Sequence, residues 1–291
     1  MVASPTVTTS LADSLPTIID SARIVREYEG VMTRLVDKTT LAENTGLTWD
    51  EISLAQLSAQ TVTETTFLNN PQAIADTLFS ITPTMIGIQT VITDRVRRRI
   101  SSNVAAKLGV LAQNAMQRKK DEDLLTVLDG ATTSLSGAGT TLAHGIISAA
   151  YSRITGNTTE PAITAVYAVL HPFQIKDLQD ELEQGLGTYP VPMGLTAEVF
   201  RMGFKGSVSN VEVFADGNIT IDSADDSKGG VFAREGIVHV QGHSPRATTD
   251  RWEHYGGGAD VLYMYDEYGN GERSAGNWVY EVYSDALAPS S

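Results

Sequence analysis

The longest helical pattern in the chain runs from Asp94 to Gly130 (DRVRRRISSNVAAKLGVLAQNAMQRKKDEDLLTVLDG), with no proline and one internal glycine. Apolar residues recur at Val96, Ile100, Val104, Leu108, Leu111 and Ala115, then at Leu124, Leu125 and Leu128. Steps of four and three place them on one face of an α-helix. Thr93 stands at the N-cap, Asp94 puts a negative charge on the positive end of the helix dipole, and Gly130 suits the C-terminal stop. A single helix of this length spans about 55 Å, too long for the middle of a compact domain. It reads as a spine on which other elements are laid. Gly109 and the charged run Lys119–Asp123 interrupt the stripe, which predicts a bend or break at one of them, with the segment after Lys120 packing differently from the one before.

The chain has 291 residues, enough for a substantial core. No apolar run approaches the ~18 residues of a membrane helix, and the N-terminus lacks the basic-then-apolar pattern of a signal peptide. With no cysteine, disulfides, thiolate metal sites and cysteine catalysis are excluded. A net charge of −14 keeps the chain soluble and gives it no overall attraction for nucleic acid. The exception is local. Arg95, Arg97, Arg98 and Arg99 form the densest basic run, read either as solvated helix charge or as a contact with phosphates or an acidic subunit face.

Residues 1–16 are rich in Thr and Ser and carry Pro5 and Pro16, as in an extended arm. Ile18–Tyr28 is a short helix candidate. Between Gly46 and Thr90 two β-rich runs flank an Asn-Asn-Pro turn, with Pro83 arguing for an edge position. This two-stranded excursion has little core of its own. An isolated hairpin is marginal in water, so it is expected to lie on something else, a neighbouring subunit above all. Trp49 and Phe67 are its candidate contact residues. Leu142–Thr155 is an amphipathic helix. Ile163–Leu170 reads as a buried strand leading into a helix opened by Pro172, with Phe173, Ile175, Leu178 and Leu182 inward and Gly185 at its end. Val208–Phe214 and Asn218–Ile221 read as strands around an Asp-Gly-Asn turn. From Gly229 onward the chain is β-rich, with most of its Tyr and Trp.

The search for chemistry yields little. His239, His243 and His254 suggest a metal site, but strand residues four apart stand about 13 Å apart. Asp216, Asn218, Thr220 and Asp222 alternate oxygen ligands like a calcium loop, but Ile221 and Ser227 occupy the places of its glycine and its acid. Asp121 and Asp123 fall in a mixed-charge helical stretch with Lys119–Asp123 and Arg118–Glu122 at i,i+4, read as a solvated face. No nucleophile elbow or phosphate loop is present. The C-terminal tyrosines read as core and interface packing rather than a ligand platform. No catalytic, cofactor or metal residues are assigned.

The order of arm, excursion, long helix, mixed α/β region and returning strands resembles the major capsid protein of tailed bacteriophages, an α+β family with the Hong Kong 97-like fold. QNAMQRKKDEDLLTVLDGA is similar to the end of that family's spine helix, and AVYAVLHPFQIKDL to its axial-domain strand and helix. The resemblance implies an N-terminal arm over 1–45, an extended hairpin or E-loop over 46–90, a peripheral domain from 91–130 and 231–291, and an axial domain over 131–230. In cross-linking members of the family an E-loop lysine attacks a neighbour's asparagine. The stretch 46–90 holds no lysine, so this shell would be held by interface burial or cement proteins instead.

The resemblance further implies a structural, non-enzymatic role. Copies would assemble into pentamers and hexamers of an icosahedral virion capsid, built in the host cytoplasm around double-stranded DNA that is enclosed without sequence-specific binding. A separate scaffolding protein, a portal and cement or decoration proteins are the further partners implied; no membrane is. Arg95, Arg97, Arg98 and Arg99 would pair with acidic residues of an adjacent subunit. The alternatives are an encapsulin-like bacterial nanocompartment shell and a tyrosine-rich β binding module.

Overall fold

A computed structural model describes residues 30–65, 71–99, 104–186, 207–274 and 276–289. The helix expected at 18–28, and Phe67, lie outside them. Two sheets and a hairpin are arranged around one helix. The first sheet has six strands: β5 (Ser134–Ser136), β6 (Val166–Leu170), β7 (Ser207–Val208), β8 (Val211–Ala215), β9 (Asp226–Ala233) and β12 (Val279–Asp285), in the order β5-β12-β9-β6-β8-β7. The second has β1 (Asp37–Thr40), β4 (Thr84–Thr93), β10 (Ile237–Trp252) and β11 (Ala259–Glu272), in the order β1-β10-β11-β4. The hairpin is β2 (Trp49–Leu54) with β3 (Asp76–Ile81). A single 3-10 turn, Arg234–Gly236, carries the chain from β9 directly into β10, so the two sheets are joined at close range.

The six-stranded sheet is covered on both faces, which explains why β6 (VYAVL) is apolar throughout. Ala168, Leu170, Val231 and Val282 face α4 (His144–Thr155) and α5 (Pro172–Leu186), where Ile147, Ile154 and Leu178 are sealed from solvent. Val169, Phe232 and Val279 face the other way, onto Leu124, Leu125 and Leu128 of α3 (Val104–Asp129) and onto the four-residue helix α1 (Met32–Leu35). A Cβ on Gly230 would stand 2.8 Å from the Leu128 side chain; glycine lets the spine settle directly on the sheet.

Of the expected helix, Asp94–Arg99 (α2) and Val104–Asp129 (α3) are helical, and residues 100–103 between them lie outside the described set. No break falls at Gly109 or at Lys119–Asp123, since α3 runs through both. The two halves do pack differently: Val110 and Leu111 are exposed, while Leu124, Leu125 and Leu128 are core. The inward face is Ala112, Met116, Lys120, Asp121, Leu124 and Leu128. Leu111 and Ala115 belong to the adjoining face, which continues into the solvated Lys119 and Glu122. Lys120 and Asp121, expected on that solvated face, are buried because each finds polar partners inside.

Other expectations shift locally. Val208–Phe214 is not one strand but two, reversed at Ser209 and Asn210, whose positive φ values of 50° and 67° make a tight hairpin turn. Asn218–Ile221 forms no strand, only one bridge from Ile221 to Ser227. In α5 Gln174 and Leu178 are fully buried, Ile175 packs partly buried against the same core, the Leu182 side chain lies outside the described set, and the helix continues one residue past Gly185. Ile163 is 92% exposed and outside β6. The second β-rich run divides at Thr82–Pro83, β3 going to the hairpin and β4 to the edge of the four-stranded sheet.

Candidate assembly surfaces

The β2–β3 hairpin pairs Trp49 with Ile81, Glu51 with Phe79 and Ile52 with Leu78. Alternation then gives it two faces. One rests on its own subunit. Trp49 meets Phe79 edge-on at 6.1 Å, and Ile81 is buried with Val238 and Val240. Arg273 ties this face down, 3.0 Å from Glu51 and 3.1 Å from Asp37. The opposite face carries Ile52, Leu54 and Leu78, between 62% and 68% exposed. Among the described residues, seven of the twelve exposed large apolar side chains fall between Leu47 and Leu78. Single exposed leucines are ordinary, but such a concentration marks a contact surface. Trp49 itself is half-buried against its own chain.

Arg95, Arg97, Arg98 and Arg99 are all exposed on α2. Arg97 forms an ion pair with Asp260 of β11 in its own chain. Asp94 accepts two 2.6 Å hydrogen bonds from Arg251, which hold its carboxyl below the usual carboxylate range. Arg251 also reaches Glu253 and Asp260. This end of the sheet is therefore a charge network of both signs rather than a free basic patch.

A second polar cluster fastens the start of the described chain to the spine. Asp121 Oδ1 accepts the Met32 N–H at 3.0 Å, and Asp216 Oδ2 accepts the Val31 N–H at 3.1 Å. Asn218 donates its side-chain amide to Asp121 and its backbone N–H to Asp216. Burial first, and then the neighbouring Asp216 carboxylate, push the Asp121 carboxyl up to about 7, against the hydrogen bonds from Asn218 and Met32 that favour its charged form. Gly30 is required beside it, since any Cβ there would lie 2.0 Å from the Asp121 carboxyl carbon.

A third cluster joins α3 to β11. Lys120 and Asp266, both buried, pair at 2.5 Å. Tyr268 donates to Asp123 at 2.7 Å, and Lys119 pairs with Asp123 at 2.6 Å. No signal in the sequence distinguished Lys120 and Asp121 from the solvated Lys119 and Glu122 beside them; only the strand they meet does so.

Neither the three histidines nor the calcium-like series from Asp216 to Asp222 is assembled as a set of metal ligands. Asp216 and Asn218 serve the clamp on residues 31–32, while Asp222 accepts the N–H groups of Ala224 and Asp226. His239 is buried beside Tyr268 with Nδ1 2.7 Å from Asn270, and burial lowers its pKa. His243 bonds the Ser244 carbonyl, and His254 packs on Trp252 and Tyr255. Among the described residues no three acidic or histidine side chains are close enough to share a metal ion.

Solved structures share this architecture over nearly the whole chain. One from Mycobacterium phage Che8 has a TM-score of 0.70 at 16% identity, covering 90% of this chain and 93% of that one. The head structure of Helicobacter pylori bacteriophage KHP40 has 0.71 at 11% identity, over 91% and 94%. The capsid asymmetric unit of cyanophage Pam1 has 0.71 at 10% identity, over 92% and 95%. The chain therefore has the α+β fold of tailed-phage capsid structures, the Hong Kong 97-like fold. No protein-family model and no curated protein sequence matches it.

Proposed function

We propose that the protein is the major capsid protein of a tailed-phage-type head, a structural subunit and not an enzyme. The observation that carries this reading is the match over nine-tenths of the chain, and of the chains it matches, to phage head and capsid structures. The exposed apolar face of the β2–β3 hairpin supports it, because a neighbouring copy would cover Ile52, Leu54 and Leu78, which stand exposed. In this reading copies join as pentamers and hexamers, with residues 46–81 as the reaching E-loop. The sheet β1-β10-β11-β4 with α2 and α3 forms the periphery, and the region from Ala131 to Gly230 lies towards the ring axis.

Each contact is small, but a closed shell repeats it in every subunit. The net charge of −14 suits a wall that encloses double-stranded DNA without binding it tightly. Arg95, Arg98 and Arg99 would meet acidic groups of a neighbour, Arg97 being engaged with its own Asp260. With no lysine in 46–90, cohesion rests on buried area and on any cement protein. A separate scaffolding protein and a portal are the remaining partners of this reading, and the virion is its location. Negative-stain microscopy of the purified protein tests it: uniform shells or ring-shaped capsomers are expected, and a monodisperse 31.2 kDa monomer at high concentration would contradict it.

A further inference from the structure

Two clefts of similar size open on different sides of α3, and their chemistry is opposite. One, of about 470 Å³, is lined by the carboxylates of Glu122, Asp123, Asp129, Asp222 and Asp226, and its two lysines, Lys119 and Lys228, are paired with carboxylates. The other, of about 480 Å³, lies between α1, α3 and the edge of the four-stranded sheet, and among the described residues no acidic side chain lines it. β1 pairs with β10 in parallel, Lys38 beside His239 and Thr40 beside Gln241, so these four side chains share one face of the sheet. Gln117 and Lys120, three apart on α3, line the cleft from the helix side, and Thr33 of α1 lines it as well. A chain of net charge −14 thus holds a cleft with two ammonium groups and no carboxylate in its lining.

The lining is also rich in unused donors. Lys120 is buried and meets Asp266 at 2.5 Å and Gln241 Oε1 at 3.3 Å, which accounts for two of the three protons an ammonium donates. Asp266 offsets its charge, so the surplus positive charge of the cleft is that of Lys38. Lys119, Lys120, Lys176 and Lys228 each pair with a carboxylate; among the described residues Lys38 pairs with none, and Thr33, Thr40 and Gln117 make no side-chain hydrogen bond. We propose that this cleft binds a phosphate group, held by the ammonium groups of Lys38 and Lys120 and the hydroxyls of Thr33 and Thr40. A phosphate offers acceptor oxygens in tetrahedral directions, which donors on three separate elements can meet, and hydrogen bonds to a charged acceptor are the strong ones. The volume leaves room for a phosphate that arrives as an ester. The site lies within one chain and does not depend on the shell reading.

Isothermal titration calorimetry of inorganic phosphate into the purified full chain, at low ionic strength and fixed pH, tests the site. Saturable binding at a single site per chain is expected. Lys38→Glu should weaken it about tenfold or more, while Lys228→Gln, in the acidic cleft, should leave it unchanged. Lys38 is exposed on an edge strand, so its replacement spares the core. Thr40→Val, equally exposed, is the second probe and should weaken binding several-fold. Absence of saturable binding, binding indifferent to both substitutions, or acetate bound as tightly as phosphate would each overturn the proposal. A short DNA duplex added to the phosphate-loaded chain separates the sources of the group. Displacement of phosphate that Lys38→Glu diminishes marks a nucleic-acid backbone, no displacement marks the free ion, and both outcomes support the site.

Discussion

Around the second half of α3, Leu124, Leu128, Phe232 and Val279 are sealed from solvent, whereas on the β2–β3 hairpin Ile52, Leu54 and Leu78 keep more than 60% of their surface exposed. The residue types are alike, so the difference lies in what each region can reach within one chain. The spine lies between two sheets and finds partners on both. The hairpin projects from the sheet edge and finds partners for one face only. Burying a side chain of this size is worth roughly 1.5–3 kcal/mol. The first region therefore contributes to the stability of the subunit, and the second presents apolar surface that, in the shell reading, association would bury.

Substitutions should separate the two regions. The largest effect is expected where the core holds charge. Asp266→Ala leaves the buried Lys120 ammonium without its counter-ion, a loss of about 3–5 kcal/mol. Urea unfolding of the isolated subunit would show it, and an unchanged midpoint would mean that water already serves Lys120.

A smaller effect is expected from Asp121, through pH. Its folded-state value of about 7 lies above its ordinary 3.8. Its contribution is thus complete below pH 3.8 and is lost as pH rises through 7, because over that range the folded state binds the extra proton. Asn mimics the protonated acid. Asp121→Asn should flatten the loss of stability between pH 5 and pH 8 and raise stability at pH 8 by about 1–3 kcal/mol, within the 1.36 kcal/mol per unit that such a shift represents. Equal pH slopes in the two proteins would show that Asp121 is not the proton-carrying group.

The smallest effect on the subunit, and the most telling, is expected on the hairpin. Ile52→Ser with Leu78→Ser should leave subunit stability within about 0.5 kcal/mol while lowering the yield of assembled particles. A large fall in the unfolding midpoint would mean that this face is part of the intrachain core.

Much of this division was legible in the sequence, for a physical reason. Period and punctuation are local properties. The spacing of Leu124, Leu125 and Leu128, the strand-to-helix step at Pro172 and the two β-rich runs of the hairpin were all visible. Pairing is not local. Lys120 and Asp121 read as surface charge because Asp266 is 146 residues from one and Asp216 is 95 from the other. Leu111 read as inward because nothing nearby shows on which side of α3 the sheets will lie. β4 read as part of the hairpin because its partner, β11, comes some 170 residues later. The exposed hairpin face was foreseen only as a lack of core, and nothing local showed that Trp49 would be half-buried against its own chain.

The central claim is that the hairpin is dispensable for folding and indispensable for assembly. Trp49 and Ile81 are paired across its base, so Asp50–Ser80 can be replaced by an Asn-Gly turn that leaves β4 and the sheet intact. Sedimentation velocity of this variant, with circular dichroism as the check on folding, tests the claim most directly. The account predicts a folded protein that sediments as free subunits or small oligomers under conditions where the unmodified chain forms shells. Closed shells at the unmodified yield would contradict it.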